Sequence, residues 1–135
     1  MRLKPENTIN RAAFLIREGY VQGYEGDGVI TCWSQTFGKE KIYAVTADSC
    51  TCWIGENKPT AICKHRLACF APEIVALSYD MYHAESEEDL IAIAQAHAES
   101  VKDSPEEYLK FARKIFSVQR ERLRLEKEKM ENMAA

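Results

Sequence analysis

No stretch of this 135-residue sequence approaches the roughly 20 consecutive apolar residues that a bilayer-spanning helix needs. The opening residues, Met1-Arg2-Leu3-Lys4-Pro5-Glu6, lack the apolar core of a secretory signal. The expectation is a cytoplasmic protein, nuclear if the source is eukaryotic, with no membrane partner. Glycine is sparse, six residues in all, and none of it forms a loop fit to cradle phosphate. No paired-carboxylate motif, internal repeat or low-complexity linker is present. Cysteine numbers five, which is odd for a secreted disulfide scaffold. In a reducing compartment, clustered cysteines are more often metal ligands than disulfides.

What is present reads as one domain, or one small domain with a helical appendage. Apolar residues make up 46% and charged residues 29%. The net charge of −3 conceals three blocks. Residues 1–72 sum to +2, residues 73–107 to −9 and residues 108–135 to +4. The whole chain is therefore not a basic nucleic-acid binder, although its ends suit that role.

The pattern predicts a helix capped by Asn7 or Thr8 and running through Arg17, with Ile9, Ala12, Ala13 and Ile16 as its apolar stripe. Gly19 stands where a left-handed C-terminal residue is wanted. Short β-prone stretches follow at Tyr20–Gln22, Val29–Ser34 and Lys41–Thr46, with turn signals at Gly26-Asp27-Gly28 and at Phe37–Glu40. Helical character returns from Lys64 to about Met81, interrupted near Ala71 by Pro72. Ser86-Glu87-Glu88-Asp89 resembles a capping box for an acidic helix over about 86–101. Ser104-Pro105-Glu106-Glu107 starts a basic helix over about 105–130. The expected fold is α+β: a small antiparallel β-sheet with a metal-anchored helix, then C-terminal α-helices. Residues 1–72 would form the metal-binding domain and residues 73–135 the helical extension.

The decisive pattern is Cys50-Thr51-Cys52, ten residues, then Cys63-Lys64-His65. Three thiolates and an imidazole suit one tetrahedral Zn²⁺. Cys-x-Cys at a strand end turns two sulfurs toward one point. Gly55, Asn57 and Pro59 allow the intervening loop to fold back. Cys63 and His65 at a helix start deliver the other two ligands, and the free N–H groups of that first turn favour a thiolate. Four protein ligands close the site, so the zinc is expected to be structural and the chain not an enzyme.

This spacing resembles the SWIM-type zinc finger, whose pattern is C-x-C, a variable loop, then C-x-H. Tyr43-x-Val45 before the first pair, Lys64-His65-Arg66-Leu67-Ala68 after the second, and Leu15–Gly19 followed by Tyr20-Val21 upstream extend the likeness over roughly residues 8–72. Trp53-Ile54-Gly55 departs from the proline and acidic or aromatic residue that often follow the second cysteine in that family. The resemblance implies a short sheet plus helix, and zinc-dependent binding to DNA or to protein partners; the expected partner is DNA or a DNA-bound protein complex.

Other residues keep two readings open. Cys32 reads as core, and Cys69 as a buried thiol or a substitute ligand on the face of His65. His83 and His97 lack a ligand partner at suggestive spacing. Lys110, Arg113, Lys114, Arg120 and Arg124 belong to a stretch, residues 110–124, of net +5. It suits phosphate contacts, or else a solvated face or an intramolecular partner for the acidic segment. Leu109, Phe116, Leu123 and Met130 recur every seven residues, as in a helix-pairing seam or plain packing. Such a helix would serve self-association or a protein partner. Trp33, Phe37, Tyr43 and Trp53 suit base stacking or the core of the zinc domain.

Overall fold

The computed structural model describes residues 5–34, 38–58 and 61–134, and the fold is α+β. Helix α1 (Pro5–Arg17) begins upstream of the expected Asn7 or Thr8 cap, at a proline whose fixed φ suits a first turn. Its buried positions are Thr8, Ile9, Ala12 and Leu15, while Ile16 is exposed. The core face is thus rotated by about one residue from the expected stripe, because Leu15 completes the helical repeat from Ile9 and Ala12. The helix stops as expected: Gly19 has φ +72°, and Tyr20 N donates to Leu15 O at 2.9 Å.

Strands β1 (Val21–Gly26), β2 (Val29–Ser34) and β3 (Gly38–Val45) form one antiparallel sheet in that order. Asp27 and Gly28 make the first hairpin turn, both at positive φ. Strand β3 starts at Gly38, earlier than Lys41, because Gly38 already pairs with Ser34. The turn expected over Phe37–Glu40 is therefore not at Gly38–Glu40, and Phe37 lies outside the described residues. Cys32 and Ser34 of β2, with Tyr43 and Val45 of β3, are buried, whereas Ile42 is exposed.

Five helices follow: α2 (Trp53–Asn57), α3 (Lys64–Phe70), α4 (Pro72–Tyr82), α5 (Glu87–Val101) and α6 (Glu106–Ala134). The short α2 occupies what the sequence presents as a loop. Pro59 of that loop lies outside the described residues. Pro72 breaks the helix between α3 and α4 and takes a first-turn position in α4, where its missing N–H costs nothing. Ser86 Oγ accepts from Asp89 N at 3.1 Å, and Asp89 Oδ2 accepts from Glu85 N at 3.2 Å. The second bond of the box falls one residue before the cap. Helix α6 starts one residue after Pro105, whose carbonyl accepts from Tyr108 N and Leu109 N.

Helix α3 joins the two halves, packing on β2, β3 and α1, and α4 packs on α1, α5 and α6. One cluster of buried residues runs from Ile9 through Cys63, Leu67 and Ile74 to Tyr108, Ile115 and Leu123. The buried face of α6 is Tyr108, Ala112, Ile115, Gln119 and Leu123, not the seven-residue series. Leu109 and Phe116 are half-buried and Met130 is exposed. Gln119 enters the core because its Nε2 donates to Ala84 O at 2.8 Å, a partner no helical pattern reveals.

Candidate metal centre

Strand β3 ends at Val45 and the chain reverses at once. Thr46 N donates to Ser49 O at 2.8 Å, and the Thr46 hydroxyl accepts from Ser49 N at 3.0 Å. The reversal brings Cys50 back beside Val45 as a β-bridge partner. Thr51 then zips onto the strand: its N–H donates to Ala44 O at 3.2 Å and its hydroxyl accepts from Ala44 N at 3.0 Å. With Thr51 held to the strand, the cysteines on either side of it project to the same side, as alternate residues of an extended chain do.

Both helix starts are capped by sulfur. Cys52 Sγ accepts from Gly55 N at 3.3 Å at the start of α2, and Cys63 Sγ accepts from Arg66 N at 3.4 Å at the start of α3. Each cap satisfies a first-turn N–H and favours negative charge on the sulfur. His65 enters from the first turn of α3. The ligand atoms of Cys50, Cys52, Cys63 and His65 all lie within 4.8 Å of one another, and all four residues are buried. Metal–sulfur bonds of about 2.3 Å in a tetrahedron put sulfurs about 3.8 Å apart, so the cluster has the span of a metal site.

The imidazole supplies the sharpest sign. His65 Nδ1 and Nε2 are both buried and neither has a hydrogen-bond partner. A neutral imidazole carries one donor and one acceptor, and leaving them unpaired costs on the order of 1–3 kcal/mol each. A metal ion at the cluster would take up the lone pair. The Tyr43 ring, 4.7 Å away, holds the imidazole in place. The thiols respond to their crowding. Hydrogen bonds from Cys50 and Cys63 draw the Cys52 thiol well below the ordinary range, and the Gly55 N–H adds to this. Hydrogen bonding to Cys52 pushes Cys50 up. A divalent cation at such a cluster would let all three thiols ionise.

The close packing depends on Gly55. A Cβ there would lie 2.0 Å from the Cys50 carbonyl oxygen. Gly55→Ala is therefore expected to displace α2 from Cys50, weaken metal affinity and lower stability by roughly 1–3 kcal/mol. Chelator competition and urea unfolding measure both, and wild-type metal affinity in the variant would show that this contact is dispensable.

A second network ties the metal loop to α6. Buried Arg66 donates to Ala47 O from Nε at 3.2 Å and from an Nη at 2.6 Å, and to Glu107 Oε1 at 3.0 Å. Tyr108 Oη donates to the same Ala47 carbonyl at 3.2 Å. Residue type marks Gly55 only as a loop glycine and does not mark Arg66 at all. The shared sequence signal is their place, three residues after a capping cysteine.

The remaining candidates separate from this centre. Cys69 is not part of the ligand cluster and is half-buried. His83 meets Asn10 Oδ1 at 3.3 Å, and His97 meets Asp80 Oδ2 at 3.0 Å. Tyr43 belongs to the core, Trp33 is half-buried beside Tyr20, and Trp53 is exposed. On α6, Arg120 and Arg124 both pair with Glu87 of α5, at 3.6 and 3.4 Å, and Arg113 pairs with Glu106. Lys110 and Lys114 are exposed.

The fold and its centre define a class: a small α+β protein with a buried cluster of three cysteines and one histidine able to hold a metal ion. No protein-family model matches the chain, and neither the curated proteins nor the solved structures contain a match.

Proposed function

We propose that this chain is a SWIM-like module built around one structural Zn²⁺, and that it acts as a DNA-associated accessory protein rather than an enzyme. The observation that carries the reading is the buried quartet of Cys50, Cys52, Cys63 and His65 with its unpaired imidazole. Thiolate and imidazole donors favour zinc over hard cations, and four protein ligands fill a tetrahedron and leave no place for reactive water. The C-x-C and C-x-H spacing is that of the SWIM finger.

The basic helix supports the nucleic-acid part. Lys110 and Lys114 make no ion pair among the described residues, and Arg113, Arg120 and Arg124 are held only by partly exposed pairs. Such pairs contribute about 0–1 kcal/mol, so phosphates can replace the carboxylates. Elemental analysis should find one zinc per chain. The zinc-loaded protein should bind labelled duplex or single-stranded DNA with an affinity that falls as salt rises. Absence of zinc would overturn the whole reading. Zinc-loaded protein that binds no DNA at low salt would overturn its second half.

The far end of α6 favours a protein-interaction adaptor as the alternative. Beyond Leu123, Leu125, Met130 and Met133 are exposed by 55%, 72% and 79%. Leu123 and Met130 line a groove of about 630 Å³ rimmed by Glu87, Glu126 and Glu131. In that case Met130→Asp would abolish a stable complex while retaining zinc. Among the described residues no helix is long and apolar enough to cross a membrane. A cytoplasmic or nuclear site is part of the proposal.

A further inference from the structure

Helices α1 and α4 pack side by side and leave a groove on the outer face of the molecule. Its main part, of about 380 Å³, is lined by Asn10, Arg11, Phe14, Arg17, Tyr79 and His83. That volume lies within the roughly 300–1,000 Å³ of small-ligand sites. An apolar shelf of about 210 Å³ shares Arg17 and Tyr79 and adds Ile16, Pro72 and Val75. Arg11, Phe14 and Arg17 recur every three residues along α1, and Tyr79 and His83 are one turn apart on α4, so each set shares a face.

The lining holds two guanidinium groups, three aromatic rings and no carboxylate. In a chain of net charge −3 that segregation is informative. The groove by α5 and α6 is rimmed by glutamates. Arg11 is exposed and makes no ion pair among the described residues, and Arg17 pairs with its exposed neighbour Glu18 at 3.4 Å and lies over the Phe14 ring, 5.9 Å from its centroid. The rings are held in place. His83 lies 4.4 Å from the Tyr79 ring and 5.2 Å from Tyr82, and its Nε2 meets Asn10. Tyr20 braces Phe14 edge-on at 5.5 Å.

We propose that this groove is a single-stranded nucleic-acid site. Bases stack on Tyr79 and Phe14, and phosphates pair with Arg11 and Arg17. Cations beside stacking rings are the recognition chemistry of single strands, whereas a duplex hides its base faces. An acidic peptide would use the cations but leave the rings without a role. The inference rests on the nucleic-acid reading above and moves the main contact from α6 to α1 and α4.

The test is fluorescence anisotropy on the full zinc-loaded chain, with labelled oligothymidylate, a mixed-sequence duplex and labelled polyglutamate across a salt series. The single strand should bind more tightly than the duplex. Tyr79→Leu should weaken single-strand binding by roughly 5- to 100-fold. The Arg11→Ala Arg17→Ala double variant, which alters exposed cations and leaves the core intact, should lower the salt slope by about 1.4. Lys110→Ala Lys114→Ala should change single-strand affinity much less. If the groove variants bind like wild type while the α6 variant fails, this site is wrong and the nucleic-acid reading survives. If zinc-loaded wild type binds neither nucleic acid, both fall. If polyglutamate binds more tightly than oligothymidylate and the arginine variant releases it, the groove is a peptide site and the inference is overturned.

Discussion

Cys63→Ala is expected to lose stoichiometric zinc and to unfold at least the segment from β3 to the end of α3. Cys63 belongs to the buried cluster able to hold a metal, and its sulfur also caps α3 by accepting the Arg66 N–H. The substitution removes both at once. Apparent zinc binding contributes about 10–16 kcal/mol to folding in small modules, more than most domains hold in reserve. Three short strands cannot replace that contribution. Metal content, together with hydrogen exchange of the amides in β3 and α3, measures the loss. Chelation of the wild-type protein should reproduce it. Acid should do so too, because falling pH returns protons to the three thiolates and expels the cation. Cys69→Ala is the matched control, since Cys69 shares α3 but lies outside the cluster. A well-folded, zinc-free Cys63→Ala protein would remove the basis of the functional reading.

Arg66→Ala is expected to be the most damaging change outside the ligands, at about 3–5 kcal/mol. Hydrogen bonds to charged groups contribute roughly 1.5–3 kcal/mol each. Arg66 makes three, two to Ala47 O and one to Glu107, and is only 4% exposed. Its stem also fills space between α3 and α6. Tyr108→Phe should cost only about 1 kcal/mol, because one neutral donor to the same carbonyl is lost. Urea midpoints of the two single variants and the double variant yield the coupling between them. The Ala47 carbonyl sits in the turn that delivers Cys50, so Arg66→Ala should also weaken zinc binding. An unchanged urea midpoint would show that this bridge carries no stability.

Features written in local chemistry were legible. The quartet that converges on one point was legible because cysteine and histidine at C-x-C and C-x-H spacing suit a shared metal ion. Pro72 ended α3, Ser86 capped α5 and Gly19 stopped α1, each through the conformational limits or hydrogen bonding of one residue. The misreadings arose where two segments must be compared. The buried face of α6 turns on Gln119 finding Ala84 O, 35 residues away. The sequence left two readings open for the cations of α6, and pairing of Arg120 and Arg124 with Glu87 of the acidic α5 is one of them. Helix α2 is too short to show an apolar repeat; Cys52 caps it and Gly55 lets it pack against Cys50.

The sequence by itself determined which atoms are able to bind a metal, where α1 stops and where α4 and α5 start, and how charge is distributed along the chain. These depend on residue type and on neighbours within a turn or two. Tertiary structure alone decided that the four ligands converge, that a buried arginine ties the metal loop to the last helix, and that two arginines and three rings share one groove. Those outcomes depend on distances between residues far apart in the chain, which are set only when the core packs.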